Sequence, residues 1–165
     1  MPAKKISKTT KAAEKKPKPA KGKGSSGGKQ TSKEKYNQIL AGLELEQLIV
    51  EKETFERDVE QNPKRTSVHI QRNNEAQVAD DKYSFRIRDM LHIEGLNEGS
   101  ETPLFIVDLV LVLKYKSKKP TTKTFLKQFA DTNLDIHSWP YFRELVQTAT
   151  NKMNLPPLVL PLNLK

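Results

Sequence analysis

The twelve residues from Leu104 to Tyr115 (LFIVDLVLVLKY) are apolar on both alternating faces, and this limits the fold most. One row reads Phe105, Val107, Leu109, Leu111, Leu113, Tyr115; the other reads Leu104, Ile106, Asp108, Val110, Val112. Successive side chains of a strand point to opposite faces, so a strand apolar on both must be covered on both. A helix of the same chain can cover one face, and the other then needs a second subunit or a bound chain. Phe105, Val107, Leu109 and Leu111 are accordingly candidates for an oligomer interface or a binding groove. Asp108 breaks the second row; an exposed edge, an interface pair and a groove remain equally open for it.

The covering helix is legible from Ser138 to Pro161 (SWPYFRELVQTATNKMNLPPLVLP). Ser138 is placed to cap it, and Pro140 falls in the first turn, where a missing N–H costs little. Phe142, Leu145, Val146, Ala149 and Met153 recur at three- and four-residue steps, giving one apolar stripe. Asn154 and the Pro156-Pro157 pair end the helix. Leu158-Val159-Leu160-Pro161 is then a short extended apolar arm that must lie on something.

Three further strands precede Leu104. Leu43 to Phe55 (LELEQLIVEKETF) alternates, with a phase slip at Leu48-Ile49-Val50 that marks a bend or bulge. Thr66 to Arg72 is a short strand with Val68 and Ile70 inward, and Asn73-Asn74 reads as a turn. Tyr83 to Ile93 alternates best, with Tyr83, Phe85, Ile87, Leu91 and Ile93 on one face and only Asp89 breaking the row. Gly95 to Ser100 returns the chain. A short helical lead-in holds Tyr36, Ile39 and Leu40 before Gly42, and Thr121 to Thr132 is a helix carrying Phe125, Leu126 and Phe129. Four strands followed by helices predict an α+β fold, a four-stranded antiparallel sheet with helices packed on one face.

Charge divides the chain in two. Residues 1–33 hold eleven lysines, no arginine and one acid, Glu14, whereas residues 34–165 carry 18 basic and 19 acidic side chains. All the aromatic residues lie in the second part. The division predicts a disordered lysine-rich tail over 1–33 and one folded domain over 34–165. Lys11, Lys15, Lys16, Lys18, Lys21 and Lys23 would give the tail a sequence-blind, salt-sensitive contact with polyanions, so a nucleic-acid-associated protein is one functional class. A solubilising leader without a specific partner is the other reading of the same residues.

Several chemistries find no support. The chain has no cysteine, hence no disulfide, thiolate nucleophile or thiolate metal site. His69, His92 and His137 lack metal-ligand spacing, and no glycine-rich loop offers a phosphate cradle. Asp80 and Asp81 are adjacent on extended chain and point apart. Nothing assembles a nucleophile, a base and an orienting group, so the expectation is a protein that is not an enzyme and needs no cofactor or metal. No apolar run is long enough to span a membrane and no secretory signal is visible, which makes the cytoplasm the expected compartment.

Four ordered pieces resemble one known family. Trp139 followed by Pro140-Tyr141-Phe142-Arg143-Glu144, then Met153 to Asn163 with Pro157, Leu160 and Pro161, resembles the helix and arm that mark the SecB export chaperones. Leu43 to Glu56 is similar to that family's first strand, Asp80-Asp81-Lys82-Tyr83 with Phe85 to Arg88 to its third, and Glu101-Thr102 to Val110 to its fourth. The resemblance implies a four-stranded sheet with helices on one face, assembled as a dimer of dimers (a homotetramer). It also implies ATP-independent holding of unfolded client chains in apolar grooves. Leu45, Leu48, Val50 and Phe55 are then the candidate client contacts, with core or subunit interface as the alternative, and Phe105 to Leu111 become an interface or client groove. The near-neutral body and the end at Lys165 depart from the acidic family pattern. They point away from docking on the export motor and toward SecB-like chaperones of toxin–antitoxin systems, where the client is an antitoxin and the outcome antiviral defence.

Overall fold

A computed structural model describes residues 31–161. The elements run α1 (Ser32–Leu40), β1 (Leu43–Arg57), β2 (Thr66–Val78), β3 (Ser84–Asn97), β4 (Phe105–Ser117), α2 (Lys123–Thr132) and α3 (Leu134–Lys152). The strands form one antiparallel sheet in the order β1-β4-β3-β2. Hairpins join β2 to β3 and β3 to β4, while β1 returns to the far side of β4, a Greek-key arrangement. This is the α+β fold that the sequence predicts. The proposed tail contacts from Lys11 to Lys23 lie outside the described residues.

The two-faced strand β4 is central, with β3 and β1 on either side. Its row Phe105, Val107, Leu109, Leu111, Leu113, Tyr115 joins Phe85, Ile87, Leu91 and Ile93 of β3 under α2 and α3, whose Phe125, Phe129, Phe142 and Val146 complete the core. Phe85 and Tyr115 stack at 4.9 Å between ring centroids, and Phe129 meets Tyr115 edge-on at 5.2 Å. Gly95 is required here, because a Cβ at that position would fall inside the ring of Phe105.

Several boundaries differ from the sequence reading, each for a local reason. The α3 helix begins at Leu134, not at Ser138; Ser138 is buried inside it and its hydroxyl donates back to the Leu134 carbonyl at 3.1 Å. Pro140 is therefore interior, on an exposed side of the helix where the carbonyl that loses its partner can meet water. At the other end Asn154, with φ of 51°, takes the left-handed conformation that terminates the helix. Asn73-Asn74 is not a turn, since both residues pair with β3. The turn lies at 79–83, where Asp81 accepts from the Tyr83 and Ser84 amides at 2.8 Å. Tyr83 accordingly sits before β3 and is exposed instead of joining the core row. Gly95 to Asn97 extend β3, and Leu104, bent back by its bonds to Gly95 and Asp58, packs into the core instead of the far face. The α1 helix starts at Ser32, ahead of the compositional boundary, because Thr31 and Glu34 form a capping box.

Candidate functional site

Strand β1 is a sheet edge, and its pairing with β4 contains two register shifts, between Leu45 and Gln47 and between Val50 and Lys52. Each shift inserts one extra residue and reverses the parity of those that follow. Without them Leu45 and Leu48 would face opposite sides. With them Leu45 pairs with Tyr115, Leu48 with Leu113, Val50 with Leu111 and Phe55 with Val107, so all four share the helix side of the sheet. The phase slip in the sequence is thus two bulges flanking Leu48-Ile49-Val50.

The helices do not reach across this strand. Leu48 and Phe55 are half-buried against the core, whereas Leu45 and Val50 remain 39% and 42% exposed. The result is an apolar rim running along the free edge of the sheet. Its far end is fastened: the Arg57 guanidinium donates to the carbonyls of Met153 and, at 3.2 Å, Asn154, and the Lys152 ammonium lies 5.1 Å from the centre of the Phe55 ring. Val59, just beyond, is 78% exposed. The row combines apolar area with the outward backbone groups of an edge strand, which can accept an extended peptide as an added strand.

The candidate row on β4 is located differently. Phe105, Val107, Leu109 and Leu111 are buried beneath the helices and available to neither a client nor a partner subunit, because α2 and α3 occupy that side. The opposite row is partly covered within the chain, with Ile106 and Asp108 half-buried. Val110 and Val112 are each 8% exposed because long side chains from β1 and β3 fold over them. Arg88 of β3 donates to Glu51 of β1 at 2.7 Å, reaching across β4. Asp108 accepts from His92 Nδ1 at 2.7 Å and from Lys52 at 3.1 Å, and these bonds, led by His92, hold its carboxyl below the usual range against partial burial. Asp108 is thus paired within the chain.

Of the signature residues, Trp139, Leu160 and Pro161 fasten the C-terminal arm. The Trp139 indole N–H donates to the Pro161 carbonyl at 2.8 Å, clamping the arm so that Leu160 is buried while Val159 stays outside. Pro140, Tyr141, Glu144 and Pro157 are exposed and Arg143 is half-buried. Sequence reasoning missed Arg72. Its guanidinium pairs with buried Asp89 through two bonds (2.9 and 2.7 Å), reaches Asp135 of α3 at 2.6 Å and Ser138 Oγ at 3.0 Å, and lies 5.5 Å from the Trp139 ring centre. The signal was present: Asp89 interrupts an apolar row, and Arg72 continues the inward row of Val68 and Ile70. Only the strand register, which pairs Arg72 with Leu91 and Asp89 with Asn74, shows that the two are diagonal neighbours on one face.

Among the described residues no cluster of side chains could hold a metal ion, and no helix is long and apolar enough to cross a membrane. No protein-family model matches the chain, and no curated protein does. Solved structures do. A Streptococcus agalactiae protein of unknown function aligns at 14% identity over 72% of this chain and 96% of its own, with a TM-score of 0.34, too low to carry an argument. A SecB-like chaperone of Mycobacterium tuberculosis, solved in complex with a ChAD peptide from an antitoxin, aligns at 18% identity over 76% of this chain and 93% of its own, with a TM-score of 0.68. The four-stranded antiparallel sheet with its helices on one side is therefore the SecB-like chaperone fold.

Proposed function

We propose that this protein is an ATP-independent holdase that keeps an aggregation-prone client soluble, and that clients bind along the β1 rim. The observation that carries the reading is the rim itself: four apolar residues brought to one side by two bulges, two of them about 40% exposed, on a free sheet edge. Holding a client needs apolar area and backbone groups that tolerate many sequences, and no catalytic constellation. The fold supports the same reading, since the M. tuberculosis protein of like fold was solved with an antitoxin peptide. A dedicated client such as an antitoxin is favoured over general preprotein export. Assembly as a dimer of dimers in the cytoplasm belongs to this proposal.

The test is suppression of light scattering by an unfolding test protein, without ATP. The full chain is expected to suppress aggregation at near-stoichiometric ratio. The Leu45→Ser/Val50→Ser variant should keep its melting temperature within a few degrees, since both residues are half-exposed, yet lose most of the suppression. Equal suppression by the variant would move the client surface elsewhere. No suppression by the full chain, with either a generic client or a co-expressed antitoxin, would remove the holdase reading.

A further inference from the structure

Helices α1 and α2 are fastened together beside a cavity of about 410 Å³. The Tyr36 ring of α1 lies 5.2 Å from Phe125 of α2, and its hydroxyl donates to Asn133 Oδ1 at 2.6 Å. Lys119, in the connection that leads into α2, donates to Gln38 Oε1 of α1 at 2.8 Å. Tyr36, Phe125, Gln38 and Lys119 all line the cavity, so the bonds that join the helices also hold its walls in place. Ile39 and Pro120 add aliphatic surface to the two rings. Ile39 and Phe125 are buried and Tyr36 is half-buried, whereas Lys35, Lys119, Thr124 and Gln128 are exposed around the opening. An apolar interior with a polar rim, at this volume, is the usual form of a small-molecule site, which spans about 300–1,000 Å³.

The charge of this cavity is one-sided. Lys35 and Lys119 line it, and no carboxylate does. Elsewhere the cations of a cavity meet acids in the same wall: Asp80 and Glu46 accompany Arg86 and Lys114 beside the β2–β3 turn, and Asp131 accompanies Lys123 and Lys127 between β2 and α2. The acids of the two helices are turned away from it. Glu34, the one acid of α1, accepts from the Thr31 amide at 3.0 Å, and Asp131, the one acid of α2, lines the cavity against β2. Among the described residues neither Lys35 nor Lys119 forms an ion pair, and the Lys119 ammonium rests on a neutral amide oxygen. Two cations at the rim of an apolar space therefore await a negative charge.

We propose that this cavity binds a small aromatic carboxylate. The ring packs against Tyr36, Ile39 and Phe125, where two aromatic side chains favour an aromatic body over an aliphatic one. The carboxylate meets the Lys35 and Lys119 ammoniums at the opening in charge-assisted hydrogen bonds. An extended client segment is disfavoured here, because the main walls are helices whose backbone groups are already paired and no strand can be added. The site is thus separate from the β1 rim and does not depend on the holdase reading.

The experiment is a titration of the isotope-labelled full chain with naphthoate, read by the NMR shifts of its backbone amides. Binding with a dissociation constant of about 1 mM or tighter is expected, with shifts concentrated in residues 35–40 and 119–128. Naphthylmethanol, which has the same ring system without the charge, should bind about tenfold more weakly. Lys35→Gln/Lys119→Gln should weaken naphthoate about tenfold and leave the alcohol unchanged, with the melting temperature held within a few degrees. Thr124→Trp places a large side chain at the exposed opening and should abolish the binding of both probes. Equal affinity for naphthoate and the alcohol would overturn the proposal. So would shifts along residues 43–57 with the cavity amides unmoved, or naphthoate binding that survives Thr124→Trp.

Discussion

β1 and β4 pair side by side, yet the same kind of residue meets opposite fates on them. Leu111 is fully buried, while its partner Val50 across the ladder is 42% exposed; Tyr115 is 1% exposed and its partner Leu45 is 39% exposed. Both rows face the helices. What separates them is reach: α2 and α3 lie over β4, β3 and β2, and β1 extends past their cover. Apolar residues on a sheet are thus core or contact surface according to what the helices cover.

The sharpest way to break the sealed side is through its charge. Arg72→Leu leaves Asp89 buried without its cation and should cost about 3–5 kcal/mol, a loss visible in urea denaturation. Next comes the matched pair. Leu111→Ala should destabilise by about 2–5 kcal/mol, and Val50→Ala by less than about 1 kcal/mol, because only the first leaves a cavity. A near-equal cost would mean that the rim is covered in solution.

Acid should act on the two sides in different windows. On the core side, His137 borders Tyr115 at 3.2 Å and burial depresses its pKa below the usual 6.5. The fold keeps it neutral, so its contribution is complete above pH 6.5 and declines as pH falls through the lowered value. On the open face, Asp108 is held ionised by His92 and Lys52; its contribution is complete above the unfolded value of about 4 and is lost as pH falls further. Melting temperature should therefore begin to drop below pH 6.5 in the wild type but not in His137→Gln. The smallest effect is expected at the open-face strap. Glu51→Gln removes a pair whose members are 46% and 37% exposed and should change stability by no more than about 1 kcal/mol.

Strand alternation, the stripe of α3 and the proline pair after it are local signals, and they were enough for the four-stranded antiparallel sheet with helices on one face. What escaped depends on partners distant in sequence. Ser138 resembles a cap until Arg72 and Leu134 are seen to use its hydroxyl. Val110 and Val112 appear to demand a second chain because the Arg88–Glu51 strap that covers them joins residues 37 apart. Phe105 to Leu111 and Leu45 to Phe55 look equally available as apolar rows, and only the lateral extent of the helices distinguishes them. The rim could be named residue by residue, but its unity depends on two bulges that the sequence shows only as one slip.

The central claim is that clients occupy the β1 rim, and hydrogen exchange of the full chain with and without an unfolded client tests it most directly. Protection concentrated in residues 43–59, with the 84–97 amides of β3 unchanged, is the predicted result. Aggregation suppression accompanied by protection elsewhere, and none along β1, would contradict it.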